Sequence, residues 1–253
     1  MLVTWGARAL YVGPAFGLSP HRNAVAVLAM GLGGPLEVAE HPCDPSTRFW
    51  RCRTALIEPN QLHLLRISGA DCAFLYVDAL SRDLASLRRR CRRPGRTVSM
   101  DLDGEDDLIV LLAGMRRSDE GWRSASPGLS AALGFERPPA DGRIASAVDG
   151  LLNSPALEAD TATLAARTDL SVSHFQHLFK ATTGVTVRRF RLWARMRRAI
   201  AMSVAGATIT HAALEAGFSS PAHFSAAFRE MFGMAPTQLL AGAPIFVEGD
   251  WSG

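Results

Sequence analysis

The chain has 253 residues, of which 48% are hydrophobic, 20% charged and 8% aromatic, a globular composition that excludes disorder as its main state. The formal net charge of +3 is by itself a weak pull toward acidic partners, but the excess sits late, with ten basic against six acidic side chains between residues 143 and 243. The longest apolar runs, Ala24 to Met30 and Leu108 to Ala113, fall far short of the roughly 20 residues of a membrane helix, and Met1-Leu2-Val3-Thr4-Trp5 has no basic start before an apolar stretch, so the expectation is a cytoplasmic protein with no membrane partner.

In chain order, short apolar runs separated by Gly, Pro, Asn and Asp predict strands at Ala24 to Met30, Leu36 to Ala39, Phe49 to Ile57, Leu62 to Ile67 and Cys72 to Val77, an antiparallel β unit. Cys43, Cys52, Cys72 and Cys91 lack C-x-x-C pairing and read as reduced structural thiols. Leu80, Leu84 and Leu87 recur at helical spacing, predicting a helix up to Arg90 whose leucine stripe would serve dimerisation. Asp101-Leu102-Asp103-Gly104 begins like a calcium loop but lacks the closing Glu, and reads as an acidic helix start. Further helices are predicted at Glu105 to Met115 and Leu129 to Phe135. Pro138-Pro139-Ala140-Asp141-Gly142 then marks a linker at 136–142.

Beyond the linker the strand signal ends. A helix from Thr161 to Arg167, a turn at Thr168-Asp169-Leu170 and a second helix capped by Ser171 and closed by Gly184 have helix-turn-helix grammar, with Asp169 where Gly is usual. The grammar returns with Thr210 as a cap, Gly217 at the turn and Ser220-Pro221 opening a helix to Phe232. His174-Phe175-x-x-x-Phe179-Lys180-x-x-x-Gly184 aligns with His223-Phe224-x-x-x-Phe228-Arg229-x-x-x-Gly233. The phenylalanines and Trp193 are expected in the core, with His174 packed beside Phe175. Between the repeats, Thr186 to Val204 predicts a strut that could set two recognition helices into successive major grooves.

Leu164-Ala165, Ser171-x-Ser173-His174-Phe175, Arg195-Met196-x-x-Ala199 and the run Ala213-x-x-x-Gly217-Phe218-Ser219-Ser220-Pro221-x-His223-Phe224 through Gly233-x-x-Pro236 closely resemble the DNA-binding domain of AraC/XylS-family bacterial transcription regulators. The resemblance implies promoter duplex DNA and RNA polymerase as partners, with activation as the usual outcome. It assigns base reading to Ser173, Gln176 and His177, with Lys180 nearby for phosphate. Ser220, His223 and Arg229, together with Arg195 on the strut, are expected to position the backbone, since Ala222 and Ala226 leave the second helix few polar groups.

The first half looks like the cupin-like small barrel that many such regulators use for sensing or dimerisation. The expected fold is therefore α+β: a β-rich barrel with flanking helices over 1–135, a linker at 136–142, and an all-α domain with two helix-turn-helix motifs over 143–243. A small-molecule effector inside the barrel would meet wall residues such as Trp50, His63, Arg66 and Tyr76. His21, His41 and His63 stand apart in sequence, so no metal, cofactor or catalytic residue is expected and the chain is read as no enzyme, acting as a homodimer. The rivals are an effector-independent regulator whose first half contacts partners, and a cupin metalloenzyme fused to a DNA-binding domain.

Overall fold

The computed structural model describes residues 1–115, 117–134, 141–153, 160–242 and 244–248. Eight of its strands form one sheet in the order β11 (Phe246–Glu248), β1 (Leu2–Trp5), β2 (Arg8–Pro14), β8 (Asp71–Tyr76), β3 (Val27–Gly31), β6 (Thr54–Ile57), β10 (Val98–Leu102), β9 (Cys91–Arg93). A smaller sheet has the order β5 (Trp50–Cys52), β4 (Leu36–Ala39), β7 (Leu64–Ile67). Adjacent strands are antiparallel except β1 and β11, which run parallel with Val3 opposite Val247.

Side chains alternate between two cores, as a pleated strand requires. Along β8, Cys72, Phe74 and Tyr76 face the first core, shared with Leu36 and Val38 of the small sheet and with the C-terminal helices. Ala73 and Leu75 face the second, which is covered by α2 (Glu105–Gly114) and α3 (Asp119–Leu133) through Leu108, Leu112, Trp122 and Leu129. The central strands are buried on both faces, so they read as continuous apolar runs without alternation.

Several boundaries differ from the sequence expectation for local reasons. The single strand expected from Phe49 to Ile57 breaks at Arg53 and divides between the two sheets. The helix expected from Leu80 is α1 (Asp83–Arg89), because Asp83 is drawn inward to Arg8 Nε at 2.7 Å. In its leucine stripe Leu87 is fully buried, while Leu80 and Leu84 are half-buried against the first and second clusters. Helix α3 starts ten residues before the expected Leu129, capped by the Ser118 hydroxyl, and accommodates Pro127. The acidic loop does start a helix, but Glu105 is buried, accepting from Thr54 Oγ1 at 2.7 Å and pairing with Arg92. The linker as far as residue 140, and Phe135, lie outside the described residues, and Gly142 opens α4 (Gly142–Asn153).

Cys52, Cys72 and Cys91 are buried free thiols, which burial pushes up to about 12, 12 and 11, while Cys43 is exposed. His21 and His63, expected to stand apart, are brought together by a bridge between their backbones, with ring centroids 4.2 Å apart. Among the described residues no helix is long and apolar enough to cross a membrane.

Candidate DNA interface and interdomain cavity

The C-terminal unit is built from α4, α5 (Thr161–Ala166), α6 (Val172–Thr183), α7 (Val187–Val204), α8 (Ile209–Glu215), α9 (Pro221–Phe232) and α10 (Pro236–Ala241). Its two helix pairs are near copies at the level of individual bonds. In the first, Asp169 takes φ 53° at the turn, Leu170 N donates to Ala165 O at 3.1 Å, and the Ser171 hydroxyl accepts from His174 N. In the second, Gly217 takes φ 85°, Phe218 N donates to Ala213 O at 3.0 Å, and the Ser220 hydroxyl accepts from His223 N. Asp tolerates the left-handed turn through its short polar side chain, where Gly does so without a Cβ. The expected cap at Thr210 is instead Thr208, whose hydroxyl accepts from His211 N at 3.2 Å.

Each recognition helix buries one aromatic pair, Phe175 with Phe179 and Phe224 with Phe228, both with centroids 5.8 Å apart. The opposite faces are open. On α6, Ser173, Gln176, His177 and Lys180 are all exposed, and so is His174, which does not pack beside Phe175 as expected. On α9, His223 and Arg229 are exposed and Ser220 is half-buried. Ser220 uses a lone pair for its cap, which leaves its O–H able to donate to phosphate. The His223 ring is held by Ser219 Oγ at 3.0 Å from Nδ1 and by the edge of Phe218.

Between the pairs, the 18 residues of α7 span about 27 Å, somewhat under one turn of B-DNA. Of the arginines spaced along this helix, Arg188, Arg191, Arg195 and Arg198, sequence reasoning assigned only Arg195 to DNA. The structure places it in a cleft of about 600 Å³ with Arg188, Arg189, Arg191, His223 and Glu230. Burial, and then the like charge of Arg191, lower its pKa. The three- and four-residue spacing of Arg188, Arg191 and Arg195 places all three on one helix face.

A second feature lies where the two halves meet. A cavity of about 70 Å³ is lined by Tyr11, Phe74 and Tyr76 of the large sheet, Trp193, Met196 and Arg197 of α7, Phe228 and Phe232 of α9, and Phe246 of β11. Arg197 Nε and Nη1 and Trp193 Nε1 are buried there without hydrogen-bond partners. Burial depresses Arg197 to about 10, opposed by the charges of Asp78 and Glu248. Of the four effector residues expected from sequence, only Tyr76 lines this cavity. His63 is buried against His21, Trp50 is surface-exposed beneath Arg48, and Arg66 lies outside over Phe49, 3.7 Å from its ring centroid. Trp50 and Arg66 belong to β5 and β7, the edge strands of the small sheet, where the outward face is open to solvent.

Residues 164–242 match the family described as a helix-turn-helix domain. The match runs from Leu164 in α5 through α10 and takes in both helix-turn-helix units. With two such units in one domain, the chain is a DNA-binding transcription regulator. No curated protein matches it. Among solved structures, it is similar in fold to ToxT from Vibrio cholerae O395 at 14% identity and a TM-score of 0.58, covering 94% of this chain and 98% of that one. Unsaturated fatty acid bound wild-type ToxT from Vibrio cholerae strain SCE256 matches at 13% identity and a TM-score of 0.57, covering 93% and 95%. A transcriptional regulator with an AraC-type DNA-binding domain from Chromobacterium violaceum matches at 25% identity over 40% of this chain and 92% of that one, with a TM-score of 0.39.

Proposed function

We propose that this regulator reads promoter DNA through Ser173, Gln176 and His177 on α6, with Lys180, Arg195, Ser220, His223 and Arg229 holding phosphates, and that 143–243 acts as the DNA-binding unit. The exposure of the α6 residues beside the buried phenylalanine pair supports this division. A glutamine can bond adenine N6 and N7 together, whereas an arginine on a phosphate carries no sequence information. Gln176→Ala is expected to lose about 1 to 3 kcal/mol on the preferred site and to relax preference at one base step. Arg229→Ala should weaken all sequences alike and reduce the salt slope. Selection of bound duplexes from a random library checks both, and equal losses on cognate and scrambled DNA in the two variants would overturn the assignment.

The DNA-binding state is controlled, in this reading, by an amphipathic monocarboxylate in the interdomain cavity. The observation that carries it is the set of three unpartnered donors, Arg197 Nε and Nη1 and Trp193 Nε1, on one face of α7 in an apolar chamber. Buried guanidinium and indole donors without hydrogen-bond partners are costly, and a carboxylate would satisfy them with charge-assisted bonds. ToxT, similar in fold, has been solved with an unsaturated fatty acid. At about 70 Å³ the cavity holds only the head of such a ligand, so an aliphatic tail must displace Phe232 or Phe246 and thereby move α9 or β11. In thermal-shift titrations cis-9-hexadecenoic acid should stabilise the protein, its methyl ester at least tenfold more weakly, and Arg197→Met should erase the difference. Equal binding of acid and ester would refute the carboxylate site, and no binding of either would favour the effector-independent regulator. Activation through RNA polymerase is the outcome we assign to the bound promoter, with the regulator acting as a homodimer.

A further inference from the structure

The last turn of an α-helix leaves its carbonyls without intrahelical donors. In α9, the second recognition helix, three of these groups are taken up by the N-terminal half. Arg22 N donates to Glu230 O at 3.0 Å, Asn23 Nδ2 to Met231 O at 2.7 Å, and Ser19 N to Gly233 O at 2.8 Å. The fit is close: Gly233 takes φ 73°, and a Cβ there would stand 2.5 Å from Ser19 O and 2.6 Å from His21 Nδ1. Asn23 is 2% exposed, so its amide cannot exchange this bond for one to water.

The gripping segment is itself fixed. His21 and His63 exchange two backbone bonds of 3.0 Å, and Asn60 N donates to Asn23 O at 2.9 Å, fastening residues 21–23 to the first half. Arg189, in the first turn of the strut, completes the junction by pairing with Glu230 at 3.2 Å and donating to Arg22 O. The start of α7, which follows directly on the first helix-turn-helix unit, and the end of α9 are thus tied to one segment of the other domain.

We propose that Ser19–Asn23 is a positioning segment that sets the angle between the two recognition helices and so determines the spacing of DNA blocks the regulator accepts. The proposal rests on both units reading DNA in one complex. Inserting one base pair between the blocks moves the second by about 3.4 Å and about 35° around the duplex. A held α9 cannot follow that displacement, and a released one can.

The test measures the affinity of full-length protein, without added effector, for duplexes carrying its selected site with zero or one inserted base pair. Asn23→Ala removes the buried donor, and Gly233→Ala separately wedges the segment away. Both are compared with wild type after circular dichroism confirms native helix content. Wild type should lose at least tenfold on insertion, and each folded variant threefold or less. An unchanged tenfold penalty in a folded variant overturns the positioning role while leaving two-unit reading intact. A wild type indifferent to the insertion overturns both.

Discussion

Lowering the pH from 6.5 to 4 is expected to destabilise the folded chain by about 3 kcal/mol through His21 alone. Burial depresses this imidazole to about 4, opposed by its bond to Ser19 O. Burial also takes His63 down to about 3, helped by the neighbouring His21, with an opposing bond to Gln61 O. Because both folded values lie below 6.5, the unfolded chain takes up protons first. The stability from keeping the rings neutral is complete above that pH and is lost as the pH falls toward 4 and then 3. Urea midpoints at successive pH values measure the slope, and His63→Gln, which cannot titrate, should remove about half of it. A midpoint constant between pH 7 and 4.5 would mean that the pair is not held neutral in the interior.

Phe228→Ala is expected to remove about 3 to 5 kcal/mol, lowering the melting temperature by on the order of 10 °C. The ring is 1% exposed and touches Phe224 and Phe232, the latter with centroids 4.6 Å apart, so truncation loses its apolar burial and leaves a void beside the existing cavity. Backbone relaxation to fill that void is restrained, because α9 is held at its far end by the N-terminal half. DNA binding should fall on all sequences, unlike the single-base effect of Gln176→Ala. A melting point within 2 °C of wild type would show that the ring is not a keystone of the second unit.

The C-terminal domain was legible because its signals are local. Caps such as Ser171 and Ser220, turn residues such as Asp169 and Gly217, and aromatic pairs four residues apart each act over a single helical turn. Their repetition in one sequence made the duplicated unit visible, and the structure reproduces it bond for bond. The first half was less legible. Strands β1, β2, β9, β10 and β11 were not foreseen, since short strands are defined by partners distant in sequence. Arg8 of β2 reads as a surface residue until it meets the buried Asp83, and β11 forms only because the chain's last described segment returns to β1.

The sequence by itself determined that this chain has two helix-turn-helix units joined by an arginine-bearing strut, and which side chains those helices leave on their open faces. Periodicity, capping and turn chemistry depend on residues within a few positions of one another. Only the tertiary structure decided where the halves touch. It set Arg197 and Trp193 against the large sheet, paired His21 with His63, and gave the carbonyls of α9 to Ser19, Arg22 and Asn23. Those contacts span up to 214 residues of chain, and no local pattern encodes them, because each polar group becomes unusual only when a distant segment removes its water.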